Sequence, residues 1–232
     1  MSNEITTNPL SMYSNAYKYS IFDSLVFEIR SFLGRKLLDR YPEENASRYL
    51  NLGCGSMRLV GWINADFFDL IDLLKKNNKQ PDWMLDLRYP LNCPSNYWKG
   101  VYCEHTLEHL SPNQQLKLIQ ELYRVMIPGS TIRIIVPDLE KYVNYYTGKK
   151  SDNNFSINWP NKAESFWSLT QNWGHASVWD YKLMKKSLET AGFIKIKKVN
   201  FMVGRNRKLQ NDSKNREWES LYVEADKPTN EI

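Results

Sequence analysis

The stretch Arg48-Tyr49-Leu50-Asn51-Leu52-Gly53-Cys54-Gly55 decides how the chain folds. A short run of strand character ends in two glycines, which admit positive φ and let a backbone approach a ligand with no Cβ in the way. Downstream, Trp62-Ile63-Asn64-Ala65-Asp66, Trp83-Met84-Leu85-Asp86-Leu87, Val101-Tyr102-Cys103 and Thr131–Val136 are predicted as further strands. Helical stretches fall between and after them. One runs from Phe67 to Lys76. A second starts at Ser111, with Pro112 at its first position and Gln114 completing a capping box. Leu116, Ile119, Leu122, Tyr123 and Met126 form its apolar face, and Pro128-Gly129 is expected to end it. Pro137-Asp138 opens another helix, and a last one from Asp180 to Ala191 stops at Gly192. Phe193–Phe201 and Trp218–Ala225 alternate like a closing antiparallel pair. Strands alternating with helices imply an α/β fold with a mostly parallel sheet covered on both faces.

Upstream, residues 1–20 read as a polar lead-in. Ile21 to about Arg40 reads as an amphipathic helix, with apolar side chains at helical spacing from Ile21 to Leu37. The expectation is an N-terminal helical arm over 1–44 that packs on its own domain, with 45–232 as that domain; a partner or membrane-surface helix is the alternative.

Composition narrows the function classes. Of 232 residues, 42 % are apolar and 25 % charged, an ordinary globular balance. No stretch approaches the roughly 18 apolar residues of a membrane span, and the N-terminus lacks a signal-peptide layout. The three cysteines show no metal-ligand spacing, which suits a reducing cytoplasm. A net charge of +5 is compatible with an anionic ligand but too small to indicate nucleic acid.

The glycine turn gains meaning from the acidic residues after it. Asp66 ends the second strand and Asp86 the third. A carboxylate at the first position can accept from a ribose diol, and one at the second from an exocyclic amine, which is a plan for an adenosine. A dinucleotide fingerprint is a poor match, because Arg58 stands at its third glycine and Asp66 lies only eleven residues past Gly55. No P-loop is present in the sequence.

At this point the sequence resembles the class I S-adenosylmethionine-dependent methyltransferases over roughly residues 48–200. The resemblance rests on the Leu50–Gly55 turn, Gly61-Trp62-Ile63-Asn64-Ala65-Asp66, Leu85-Asp86-Leu87, Glu104-His105-Thr106-Leu107-Glu108-His109-Leu110, Pro128-Gly129-Ser130, Val136-Pro137-Asp138-Leu139 and Gly174-His175. It looks most like the bacterial branch found among cell-surface polysaccharide genes. The pattern departs from the family at Asn51, usually acidic, and at Met57, often glycine. The resemblance implies a Rossmann-like doubly wound sheet and S-adenosyl-L-methionine as cofactor. Asn51, Gly53, Cys54 and Gly55 would border the methionine part, Asp66 the ribose, and Asp86 with Leu87 the adenine. Glu104 would line the methionine side.

Methyl transfer to a hydroxyl needs an aligned acceptor and a general base. His105 and His175 are the candidates for base or acceptor positioning, with Asp138 a third that doubles as a helix N-cap. His109 reads as a turn and supporting residue. The three histidines and Asp138 have no diagnostic metal spacing, so no metal is expected. Residues 148–179 read as irregular and crowded with aromatics, either an accessory core or a lid over the acceptor. The basic loop Arg205–Arg216 is read as exposed and able to attract an anionic acceptor. The leading expectation is methylation of a hydroxyl on a sugar or surface glycan. The rivals are N- or O-methylation of a small metabolite or natural product, and a non-catalytic cofactor-binding module acting through a partner.

Overall fold

The computed structural model describes residues 21–42, 48–68 and 80–229. The strands are β1 (Tyr49–Leu52), β2 (Ile63–Asp66), β3 (Trp83–Met84), β4 (Trp98–Glu104), β5 (Met126–Pro137), β6 (Ile194–Val199) and β7 (Ser220–Asp226), and they form one sheet in the order β3-β2-β1-β4-β5-β7-β6. From β3 to β5 all neighbours are parallel; β7 is antiparallel to both β5 and β6. Strand order reverses between β1 and β4, so the ends of these two strands flank the crevice in which such sheets bind ligands.

Period-two alternation assigns the faces. Leu50, Leu52, Ile63, Ala65, Val101, Cys103, Ile132 and Ile134 belong to the main core. Two helices cover that face, α2 (Pro112–Val125) through Leu118, Ile119, Leu122 and Val125, and α6 (Tyr181–Thr190) through Met184 and Leu188. On the opposite face Tyr102, Ile135 and Tyr222 pack with Leu209, Trp62, Met57 and Phe201. Among the described residues this second face is covered by loop 200–216 instead of a helix. Arg133 pins the loop there: fully buried, it donates through Nε to Asp212 at 2.7 Å and through Nη1 to Glu224 at 3.0 Å. The basic stretch is therefore not a free loop. Arg205 is tied to Asp226 at 2.8 Å and Arg216 to Glu219 at 2.9 Å.

Several boundaries differ from expectation. α2 stops at Val125, because Met126 turns extended and pairs with Trp98 instead of completing the helix. Asp86 lies past β3, which is only Trp83–Met84. The helix expected over Phe67–Lys76 falls largely outside the described residues. The aromatic stretch is not irregular: α3 (Leu139–Tyr146) is followed by α4 (Asn153–Asn158) and α5 (Lys162–Gln171), whose N-caps Asp152 and Asn161 accept from Asn154 N and Ala163 N. Phe155, fully buried, packs on Tyr145, Tyr142 and Trp218 at centroid distances of 5.2, 5.0 and 4.8 Å. Phe155 and Trp159 thus build an accessory core with α3, Trp179 joins the main core, and Trp167 and Trp173 remain exposed.

The N-terminal helix α1 (Ile21–Leu37) meets the domain with its small residues. Ser31 and Gly34 are its buried positions, and a Cβ at Gly34 would lie 2.2 Å from the Phe68 ring. Phe27 stacks on Phe67 at 4.6 Å. Contrary to the expected burial of an apolar face, Phe22, Leu25, Phe32 and Leu37 are more than half exposed. No helix among the described residues is long and apolar enough to cross a membrane.

Candidate functional site

The first loop is held by backbone and by Asn51. Gly53 N and Cys54 N both donate to Ala65 O, at 2.9 and 3.0 Å, which ties the end of β1 to the end of β2. Asn51 is buried and donates to Met57 O at 2.9 Å and to Asn64 Oδ1 at 3.0 Å. It shapes the turn from behind. The two glycines have different reasons to be glycine. At Gly53, with φ +66°, a Cβ would lie 2.1 Å from Thr106 Oγ1, so close packing and backbone both demand it. At Gly55, with φ +50°, nothing lies within 4 Å of that position. Open space thus fronts the second glycine. Asp66 stands beside it, half-buried, accepting from Gly55 N and, at 2.7 Å, from Phe67 N. Cys54 is buried against this carboxylate; burial and then the Asp66 charge push its thiol up to about 12, outweighing Arg58. A thiol so placed is protonated and not a nucleophile.

The other acidic candidates are already engaged. Asp86 accepts from Ser31 Oγ at 2.6 Å and from Arg88 Nη2 at 2.7 Å, and Arg88 also pairs with Glu28. Burial raises the Asp86 pKa, but Arg88 and Ser31 outweigh it and hold the carboxyl below its ordinary value. Leu87 is half-buried against the main core. Glu104 accepts from Ser213 N at 3.0 Å and Ser213 Oγ at 2.6 Å, which turns its carboxylate toward the 200–216 loop.

Beyond β4 the chain brings the histidines together around a residue the sequence reading had left in the background. Glu108 is almost wholly buried, with Oε1 3.1 Å from His105 Nδ1. On the other side of that ring, Nε2 lies 2.8 Å from Ser220 Oγ. Ser220 Oγ also lies 2.7 Å from Arg216 O, so its one proton serves either that carbonyl or the His105 ring. His105 adopts φ +46°, a costly conformation for a histidine that its surroundings must enforce. His175 Nδ1 donates to Leu169 O at 2.8 Å, and its ring meets His109 edge-on at 5.0 Å. Ala176 N and Ser177 N both donate to Glu108 O, fixing this segment to the rim. Burial lowers the His175 pKa, with the Glu108 charge opposing. Burial raises that of Glu108, but the neighbouring histidines outweigh it and hold it below the ordinary value.

Asp138 does not join them. Its carboxylate is fully buried, caps α3 by accepting from Glu140 N at 3.1 Å, and holds Lys198 at 3.0 Å. It behaves as the N-cap reading expected, with an anchored lysine added.

No family model matches the chain, and no curated protein matches it in sequence. Solved structures do. A SAM-dependent methyltransferase from Archaeoglobus fulgidus superposes with a TM-score of 0.50 at 19 % identity, covering 87 % of this chain and 94 % of that one. A SAM-dependent methyltransferase from Thermotoga maritima gives 0.51 at 12 %, covering 88 % and 90 %. The fold is that of the class I methyltransferases.

Within this methyltransferase fold a cleft lies apart from the Gly55 turn. It has a volume of about 1080 Å³, and its walls include Lys141, Lys198, Lys214, Phe201, Trp218 and Ser220. Ser220 also touches His105, so the histidine cluster and the cleft meet at one hydroxyl. Lys141 donates to Glu217 O at 3.0 Å, and burial lowers its pKa in spite of Asp138. Sequence reasoning missed Glu108, Ser220, Lys141 and Lys198 as site residues, whereas Lys214 falls in the basic stretch read as able to attract an anionic acceptor. Glu108 was legible only as part of the Glu-His-Thr-Leu-Glu-His run; the lysines come from three separate elements.

Proposed function

We propose that the protein is an S-adenosylmethionine-dependent methyltransferase acting on a hydroxyl of a sugar or surface-glycan acceptor. The observation that carries the cofactor is the open turn at Gly55 with Asp66 beside it, at the strand-order reversal of a class I sheet. Gly53, Cys54 and Gly55 would border the methionine part of the cofactor and Asp66 the ribose. Asp86 could take the adenine amine only by giving up a bond to Ser31 or Arg88, so Leu87 and the Phe67–Phe27 pair are better placed to line the ring. The bound cofactor supplies an activated methyl group on a sulfonium.

The acceptor reading rests on the cleft. Trp218 and Phe201 offer flat faces for a sugar ring, and the lysines suit a phosphate on a nucleotide-linked sugar or phosphorylated glycan. His105 is held by Glu108 and presents Nε2 to Ser220 at the cleft wall. In this reading Ser220 turns its proton from Arg216 O to His105 Nε2 and takes the acceptor's hydroxyl proton in exchange. Asp138 acts indirectly by holding Lys198.

Calorimetry with S-adenosylhomocysteine tests the cofactor half. One-to-one binding is expected, weakened in Asp66→Ala by about 1–3 kcal/mol, roughly 5- to 150-fold. Unchanged affinity in the variant refutes the ribose assignment. Methyl transfer to a panel of nucleotide sugars and glycans, followed by mass spectrometry, tests the acceptor half. A second reading, a cofactor-binding module acting through a partner, is favoured by one observation: the exposed apolar side chains of α1. Loss of transfer in His105→Ala with cofactor affinity retained argues against it.

A further inference from the structure

The Glu108, His109 and His175 side chains converge in a way the methyltransferase reading does not use. Each can offer one ligand atom, and these atoms all lie within 4.8 Å of one another. Around a single ion with bonds of about 2.1 Å, tetrahedral ligand atoms stand roughly 3.4 Å apart, so a small closing movement completes the set.

We propose that these three residues bind a divalent transition-metal ion of the borderline class, zinc being the ion to test. Two imidazoles and one carboxylate form an N2O donor set, which favours zinc, cobalt or iron over magnesium and calcium.

The strongest support is the carboxylate itself. Glu108 is 1 % exposed, and among the described residues neither of its oxygens accepts a well-directed hydrogen bond. Its near polar neighbour is His105 Nδ1 at 3.1 Å, which leaves accepting capacity to spare. A buried carboxylate in that condition calls for a cation.

His175 is prepared for the task. Its Nδ1 proton goes to Leu169 O at 2.8 Å, which leaves the Nε2 lone pair for a ligand bond. A backbone carbonyl on the far nitrogen is the arrangement that orients metal-binding histidines. The frame is rigid: Glu108 and His109 are consecutive on one 3-10 turn, and the Ala176 and Ser177 amides tie the His175 segment to Glu108 O at 2.8 and 3.1 Å. His109 is exposed and marks the way in from solvent. Three protein ligands leave at least one coordination position for water or another oxygen ligand.

The test uses full-length untagged protein, stripped with a chelator and titrated with zinc by calorimetry and with cobalt by visible absorption. The expected result is one ion per chain, a d–d band for bound cobalt, and at least a tenfold loss of affinity in His109→Ala. His109 is at the surface, so its variant should melt at the temperature of the metal-free wild type. Glu108→Gln, which keeps the shape and removes the charge, should lose affinity as well. No stoichiometric binding to the wild type overturns the proposal. Binding of equal strength in wild type and both variants also overturns it, because the ion then sits elsewhere. Neither readout involves the methyl donor, so the outcome is separate from that of the proposed function.

Discussion

Removing the Asp212 carboxylate should expose how far the second face of the sheet depends on one buried cation. Arg133 projects from β5 with no solvent exposure and makes a two-point contact with Asp212, which is also closed off from water. Its remaining partners are Glu224 at 3.0 Å and the carbonyls of Val203 at 3.0 Å and Asn200 at 3.1 Å. In Asp212→Ala the guanidinium stays buried with Nε unpaired. Breaking a buried pair by deleting one partner costs about 3–5 kcal/mol, against about 0–1 kcal/mol for an exposed pair. Glu224 and the carbonyls still compensate in part, so the lower end of the range, about 3 kcal/mol, is the expectation. For a chain of this size that corresponds to a melting point lower by roughly 6–12 °C. Urea unfolding followed by tryptophan fluorescence measures it directly. The midpoint should fall while the slope stays constant. The triple variant Arg133→Met, Asp212→Leu, Glu224→Gln should recover part of the loss, because it removes all three buried charges together. A single-variant loss below about 1 kcal/mol would place the pair among surface ion pairs and refute the burial argument.

The glycine turn and the α1 contact yield two further expectations. Gly53→Ala should destabilise far more than Gly55→Ala, since the first adds a Cβ 2.1 Å from Thr106 Oγ1 and the second adds one into open space at comparable φ; equal midpoints in urea would contradict this. Arg88→Met should alter acid stability. Arg88 and Ser31 hold the Asp86 pKa below its unfolded value of about 3.9, so that stabilisation is present above about pH 4 and lost as pH falls through the lower folded value. Without Arg88 the buried carboxyl moves up, and unfolding during acid titration should begin at a higher pH than in the wild type; an unchanged acid midpoint refutes the coupling.

The strands were legible in the sequence because their signals are local, although β3 stops at Met84, short of Asp86. β-branched runs, the Gly53–Gly55 turn and Asp66 specify backbone geometry within a few residues of themselves. The helices α4 and α5 were not legible, being short and lacking a sustained apolar stripe; only their Asp152 and Asn161 caps announce them. The end of α2 was misplaced for a related reason. Met126 fits a helix face by spacing, but a tertiary demand, pairing with Trp98, overrides it. What side chains do at the site was least legible. Asp86 and Glu104 were read as cofactor contacts and Asp138 as an acceptor-side candidate or N-cap, yet their partners Ser31, Ser213 and Lys198 are 55, 109 and 60 residues away along the chain. No local pattern encodes such pairings.

The same reasoning explains why Glu108 is the position on which the histidines depend. Its backbone carbonyl receives two amides from the segment after His175, and its carboxylate faces His105. Next to it on the turn, His109 contributes the ring that meets His175. One residue therefore fixes the placement of imidazoles from two distant parts of the chain, by its main chain on one side and its side chain on the other. A change confined to the carboxylate, as in Glu108→Gln, leaves the main-chain tie intact and removes only the charge. That separation makes the charge's role measurable: if the histidines serve transfer chemistry merely by packing, the isosteric variant should keep its activity; if they need an anion to set their protons or to share an ion, it should not.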